Sequence, residues 1–146
     1  MKGLNYLKTE FPGQSVNEGL ARSLCGVFAA QLDPTLEELG DLKTAVSEAV
    51  TNAIVHAYPD SIGKVSLRCR ILEGNVLEIQ IRDWGCGIED VARAREPLFT
   101  TGGEERSGMG FTIMESFTDS LSVRSKPGRG TTVTLRRRLP RRRADP

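Results

Sequence analysis

The chain has 146 residues, 38% of them hydrophobic and 27% charged, which fits one globular domain and excludes a disordered or fibrous protein. A domain of this size buries a core without disulfides or a structural metal. No apolar run approaches the roughly 20 residues of a membrane span, and Met1-Lys2-Gly3-Leu4-Asn5-Tyr6 lacks the apolar core of a signal peptide, so a cytoplasmic protein without membrane contact is expected.

The net charge of +1 hides an asymmetry. Six of the 20 basic residues (Arg136, Arg137, Arg138, Arg141, Arg142 and Arg143) fall in the last eleven positions. Residues 1–138 read as a single domain and 139–146 as an Arg-rich tail. A solvated end is preferred over contact with nucleic acid or an acidic partner, and no direct DNA binding is expected. Cys25, Cys69 and Cys86 are odd in number and widely spaced, and His56 is the only histidine. That composition suits plain thiols, not a disulfide framework or a zinc site.

In chain order, residues 4–11 read as a short strand. Ser15-Val16-Asn17-Glu18 has the pattern of a capping box, and Leu20, Leu24, Val27 and Phe28 follow at helical spacing. Asp33-Pro34 ends that helix, and Thr35-Leu36-Glu37-Glu38 offers a second capping box. The next helix carries an apolar stripe of Leu39, Leu42, Val46, Ala49, Val50, Ala53, Ile54 and Ala57. At about 100° per residue, Glu48 and Asn52 lie roughly 160° and 120° from the stripe centre. They share a face with Asp41, Thr44, Ala45, Thr51 and Val55, turned away from the stripe.

Alternation over Val65–Ile71 and Leu77–Ile81, around the turn signal Glu73-Gly74-Asn75, predicts a hairpin. A Gly-rich loop follows Asp83, then a short helical piece near 88–95. Residues 97–108 lack periodicity and read as a mobile loop. A helix over 109–117 and strands near 120–125 and 131–138, flanking Lys126-Pro127-Gly128-Arg129-Gly130, complete the chain. The sum is an α+β fold, a two-layer α/β sandwich whose mixed, mostly antiparallel sheet carries helices on one face.

Four short elements then occur in a fixed order over about 85 residues: Glu48-Ala-Val-Thr-Asn52 on the helix, Asp83-Trp-Gly85-Cys-Gly87 after a strand, Ser107-Gly108-Met-Gly110-Phe opening a helix, and Gly130-Thr131-Thr132 entering the last strand. Each is weak alone. In this order they resemble the N box and glycine boxes of the Bergerat, or GHKL, ATP-binding superfamily. The residues suit that chemistry: Asn52 offers an amide oxygen to magnesium, which takes one or two protein ligands plus phosphate and water. Asp83 can accept a hydrogen bond from an exocyclic amine, Gly85 and Gly87 admit close backbone approach, and Gly108 and Gly110 expose N–H groups to phosphate.

The resemblance implies ATP and Mg2+ as cofactors, with Asn52 on the metal, Asp83 on the adenine amine and Thr132 near the adenine end. It assigns Glu48 as the carboxylate base. The acceptor is then a hydroxyl, of water in an ATPase or of serine or threonine in a kinase. The short chain favours a free-standing serine kinase of the anti-sigma type, with a stand-alone GHKL ATPase or a detached histidine kinase catalytic domain as the alternative. Thr101, Arg106, Ser107 and Gly108 fall in or beside the expected lid, where Arg106 could stabilise the transferred phosphoryl group. Within that type the resemblance implies a homodimer that holds a sporulation sigma factor inactive and phosphorylates an anti-anti-sigma protein. Arg22, between Leu20 and Leu24, is the candidate partner-binding residue.

Overall fold

The structure is a computed structural model that describes residues 2–96 and 110–140. Five strands form one sheet: β1 (Gly3–Pro12), β2 (Lys64–Leu72), β3 (Val76–Asp83), β4 (Ser120–Lys126) and β5 (Gly130–Arg138), in spatial order β1-β2-β3-β5-β4. All four pairings are antiparallel, so the sheet lacks the parallel part that a mixed one would have. Helices α1 (Val16–Ala29), α2 (Leu36–Thr51), α3 (Val91–Ala94) and α4 (Gly110–Ser116) make the second layer.

Alternation along the strands decides what faces that layer. Leu67, Cys69, Leu77, Ile79, Ile81, Val133 and Leu135 point inward and join the core. On the opposite face Glu78 is only 2% exposed, because three arginines close over it. Arg70 Nε donates to Oε1 at 2.8 Å, Arg136 Nε donates to Oε2 at 2.8 Å, and Arg68 Nη2 reaches Oε1 at 3.4 Å. Two arginines of the expected basic end therefore belong to the domain: Arg136 in this cluster, and Arg137, whose Nη1 reaches Asp41 Oδ2 at 3.2 Å. Leu139, just past β5, is buried as well.

The two predicted capping boxes part ways. Thr35 and Glu38 form theirs, with Glu38 N–H to Thr35 Oγ1 at 3.1 Å and Thr35 N–H to Glu38 Oε1 at 2.8 Å. Ser15 makes no side-chain cap bond; its backbone is already helical, and Glu18 turns to Arg22 instead. The α1 stripe holds only in part: Phe28 is buried and Leu24 packs against the core, but its other two members do not. Leu20 and Val27 are exposed, while the smaller Ala21, Cys25, Gly26 and Ala29 join Phe28 on the buried side. Close helix–helix contact explains the choice: a Cβ on Gly26 would stand 2.5 Å from Lys43 Cε of α2.

The α2 stripe is buried as expected, apart from the half-buried Leu39. Its opposite face is not left open, however. Ala45 is fully buried, and α4 packs along this side of α2.

Candidate active site

After Thr51 the helix widens into one π-helical turn over Asn52–His56, closed by the Ala57 N–H donating to the Asn52 carbonyl at 3.2 Å. Single π turns of this kind are frequent at functional sites. Glu48 and Asn52 lie one turn apart and are both half-buried. Gly110, the first residue of α4, abuts them. A Cβ there would come to 3.3 Å from Glu48 Oε2, a tight approach, and to 3.6 Å from Asn52 Oδ1, an ordinary contact. The Asn52 side-chain amide makes no hydrogen bond among the described residues, and its oxygen is of the hard type that a magnesium ion accepts. No cluster of three or more His, Cys, Asp or Glu side chains that could hold a metal exists among the described residues.

Asp83, the last residue of β3, forms the other end. It is 5% exposed, and its Oδ1 accepts the N–H groups of Gly85 at 3.0 Å and Thr131 at 3.2 Å. Burial pushes the carboxyl pKa up against the opposing pull of these two bonds. Among the described residues no donor reaches Oδ2, so this oxygen can receive one from a ligand. The helix joins the two ends: from Glu48 to Ala57 it spans about 13 Å, and the Ala57 carbonyl accepts the Cys86 N–H at 2.9 Å.

Gly85 and Gly87 are required by the protein's own packing. A Cβ on Gly85 would sit 2.1 Å from the Ala57 carbonyl oxygen. Gly87, with a left-handed φ of +77°, would meet the Lys126 carbonyl at the same distance. The loop after Asp83 is thus wedged between the end of the π turn and the β4–β5 turn. Beside it Trp84 is 38% exposed, with Lys64 Nζ 4.3 Å and the Arg82 guanidinium 4.7 Å from its ring centre.

The strand register separates Thr131 from Thr132. Thr132 pairs with Arg82 and Arg124 and faces outward with them, away from Asp83. Thr131 is buried, bonds Asp83 through its N–H, and places Oγ1 2.8 Å from Ser125 Oγ. Ser125 escapes the motif reading, and Thr131, inside the last motif, receives no role there, although period-2 alternation from the inward Val133 would have placed Thr131 on the inner face. Thr101, Arg106, Ser107 and Gly108 lie outside the described residues. Arg22 is exposed on α1, with Nη1 3.6 Å from Glu18 Oε1. Cys25 and Cys69 meet inside the core with sulfurs 3.5 Å apart, and no described helix is long and apolar enough to cross a membrane.

Residues 13–137 match the histidine kinase-like ATPase domain family. The anti-sigma F factor of Caldanaerobacter subterraneus is 52% identical over 140 residues, covering 95% of this chain and 97% of its own. Those of Halalkalibacterium halodurans and Bacillus subtilis are 53% and 51% identical, each match covering 96% of this chain and 97% of the relative. Among solved structures, the RsbU and RsbW domains of a Mycobacterium tuberculosis protein superpose with a TM-score of 0.68 at 18% identity, over 93% of this chain and 33% of that one. A blue-light activated histidine kinase from Erythrobacter litoralis gives 0.61 at 27% identity, over 83% of this chain and 40% of that one. The chain belongs to the anti-sigma F factor family, built on a histidine kinase-like ATPase domain.

Proposed function

We propose that the protein is a homodimeric, ATP-dependent serine kinase that holds sigma F inactive and phosphorylates an anti-anti-sigma factor. The observation that carries the kinase reading is the carboxylate of Glu48 one turn from Asn52, both against Gly110 at the opposite end of the candidate site from Asp83. Asp83 Oδ2 would accept the adenine amine, with Thr131 and Ser125 beside it. The glycines Gly85 and Gly87 shape that wall, whereas Thr132 faces the outer side of the sheet, away from the proposed adenine end.

At the reacting end, Asn52 Oδ1 would hold Mg2+, which when bound neutralises charge on the phosphates. Glu48 accepts the proton of the incoming serine hydroxyl. The serine oxygen forms its bond to the γ-phosphorus as the bond to the β–γ bridging oxygen breaks and ADP leaves. Gly108 and Gly110 would offer N–H groups to the phosphates, Thr101 and Ser107 their hydroxyls, and Arg106 its guanidinium to the transferred group. For the sigma factor, the exposed Val16, Leu20 and Val27 supply an apolar stripe on α1, with Arg22 exposed on another side of the same helix.

Incubation with γ-labelled ATP and the candidate partner tests the reading. Label on a partner serine, lost in Glu48→Gln with ATP binding kept, is the expected result. Phosphate release without protein labelling would point to an ATPase instead.

A further inference from the structure

We infer that Arg137 is a positioning residue for the phosphotransfer reaction, an inference that rests on the kinase reading. Arg137 sits near the end of β5 on the inner face and is 20% exposed at its side chain. Its Nη1 donates to Asp41 Oδ2 on α2 and to the Phe117 carbonyl just past the end of α4, both at 3.2 Å. One guanidinium thus ties the sheet, α2 and the carbonyl end of α4 together, where a cation also suits the helix dipole.

The position of those ties matters because of what lies along the same two helices. Asp41 precedes Glu48 by seven residues, two helical turns, and so shares its face of α2. The other end of α4 is Gly110, against Glu48 and Asn52. Helix α4 has seven residues and is about 10 Å long, so a tilt of about 6° at its Phe117 end displaces Gly110 by about 1 Å. A misplacement of about 1 Å at a reacting centre can cost about a hundredfold in rate. The ion pair that α4 itself makes among the described residues joins Glu115 to Arg95, whose Nε donates at 3.0 Å; Glu115 is 46% exposed there, and pairs of that kind hold little.

Arg137→Met keeps the apolar stem and removes both bonds, whereas Arg137→Lys keeps a cation facing Asp41 and Phe117. In the full chain, Arg137→Met is expected to lower phosphotransfer kcat by about tenfold or more, with the ATP Kd in EDTA within about threefold of wild type. Arg137→Lys should recover most of the rate. Unchanged kcat in Arg137→Met, or kcat and Kd worsening together in step with a lower Tm, would overturn the inference. Should Arg137→Met fail to fold, Asp41→Asn decides it: a severalfold loss of kcat at unchanged Kd supports the role, and none refutes it.

A wild-type chain that labels no protein removes the kinase reading by itself. The tightening of ATP binding by magnesium then reads the geometry independently. A tightening reduced in Arg137→Met supports positioning of the Glu48–Asn52 end, and one equal to wild type refutes it.

Discussion

Asp83 shows at the scale of one residue how a site is bought at the expense of the fold. Its raised pKa means that the folded state prefers the protonated form. The stability it contributes is fully present below the unfolded carboxyl pKa of about 3.9 and is lost as pH rises through the folded value. At neutral pH the ionised, buried carboxylate therefore costs stability. Asn at this position keeps an oxygen for the Gly85 and Thr131 N–H groups but puts an amine donor where Oδ2 stood. Asp83→Asn should unfold at an equal or higher temperature, while calorimetry finds ATP binding weakened by about tenfold or more, as a donor meets a donor. Glycine 130 is the converse case, wholly structural: at φ +100° its Cβ would stand 2.2 Å from the Asp83 carbonyl. Gly130→Ala should lower Tm by an amount corresponding to about 2 kcal/mol or more.

At the scale of elements, the two capping boxes make a paired test. Thr35→Ala removes a formed cap and should cost about 1 kcal/mol in denaturant unfolding. Ser15→Ala removes a hydroxyl with no cap bond and should stay within about 0.5 kcal/mol. The same contrast marks what the sequence makes legible. Helix α2 is plain because its stripe is long and its cap is local. Helix α1 misleads because tight packing against α2 selects small residues, leaving the larger Leu20 and Val27 outside. The ordered motifs bring Glu48, Asn52 and Asp83 forward as candidates, but not the π turn, which has no signature in residue type. The partners of Arg136 and Arg137 lie 58 and 96 residues away. No local pattern shows such pairings, so a basic run at the chain's end resembles a tail.

Across the whole molecule, the two faces of the sheet divide the work. The inner face carries core and site; the outer face is closed by Glu78 and its arginines. Burial raises the Glu78 pKa, but hydrogen bonds and charge from Arg70 and Arg136 outweigh it and hold the value below normal. Such a group stabilises fully above its unfolded pKa of about 4.3, and that contribution is lost as pH falls through the folded value. Glu78→Gln should therefore be less stable at pH 7, by about 1–3 kcal/mol given the part-exposed arginines. The deficit should shrink as both proteins are titrated through the acid range, followed by thermal melts.

Trp84 is the only tryptophan in the chain, and it adjoins the carboxylate proposed to receive adenine. An indole flanked by two cations emits in a charged environment set by Lys64 and Arg82. Loading the site would change the field at the ring without any attached dye. Nucleotide titrations should therefore register as a shift or quench of intrinsic emission, abolished in Trp84→Phe. The protein carries its own optical gauge of occupancy.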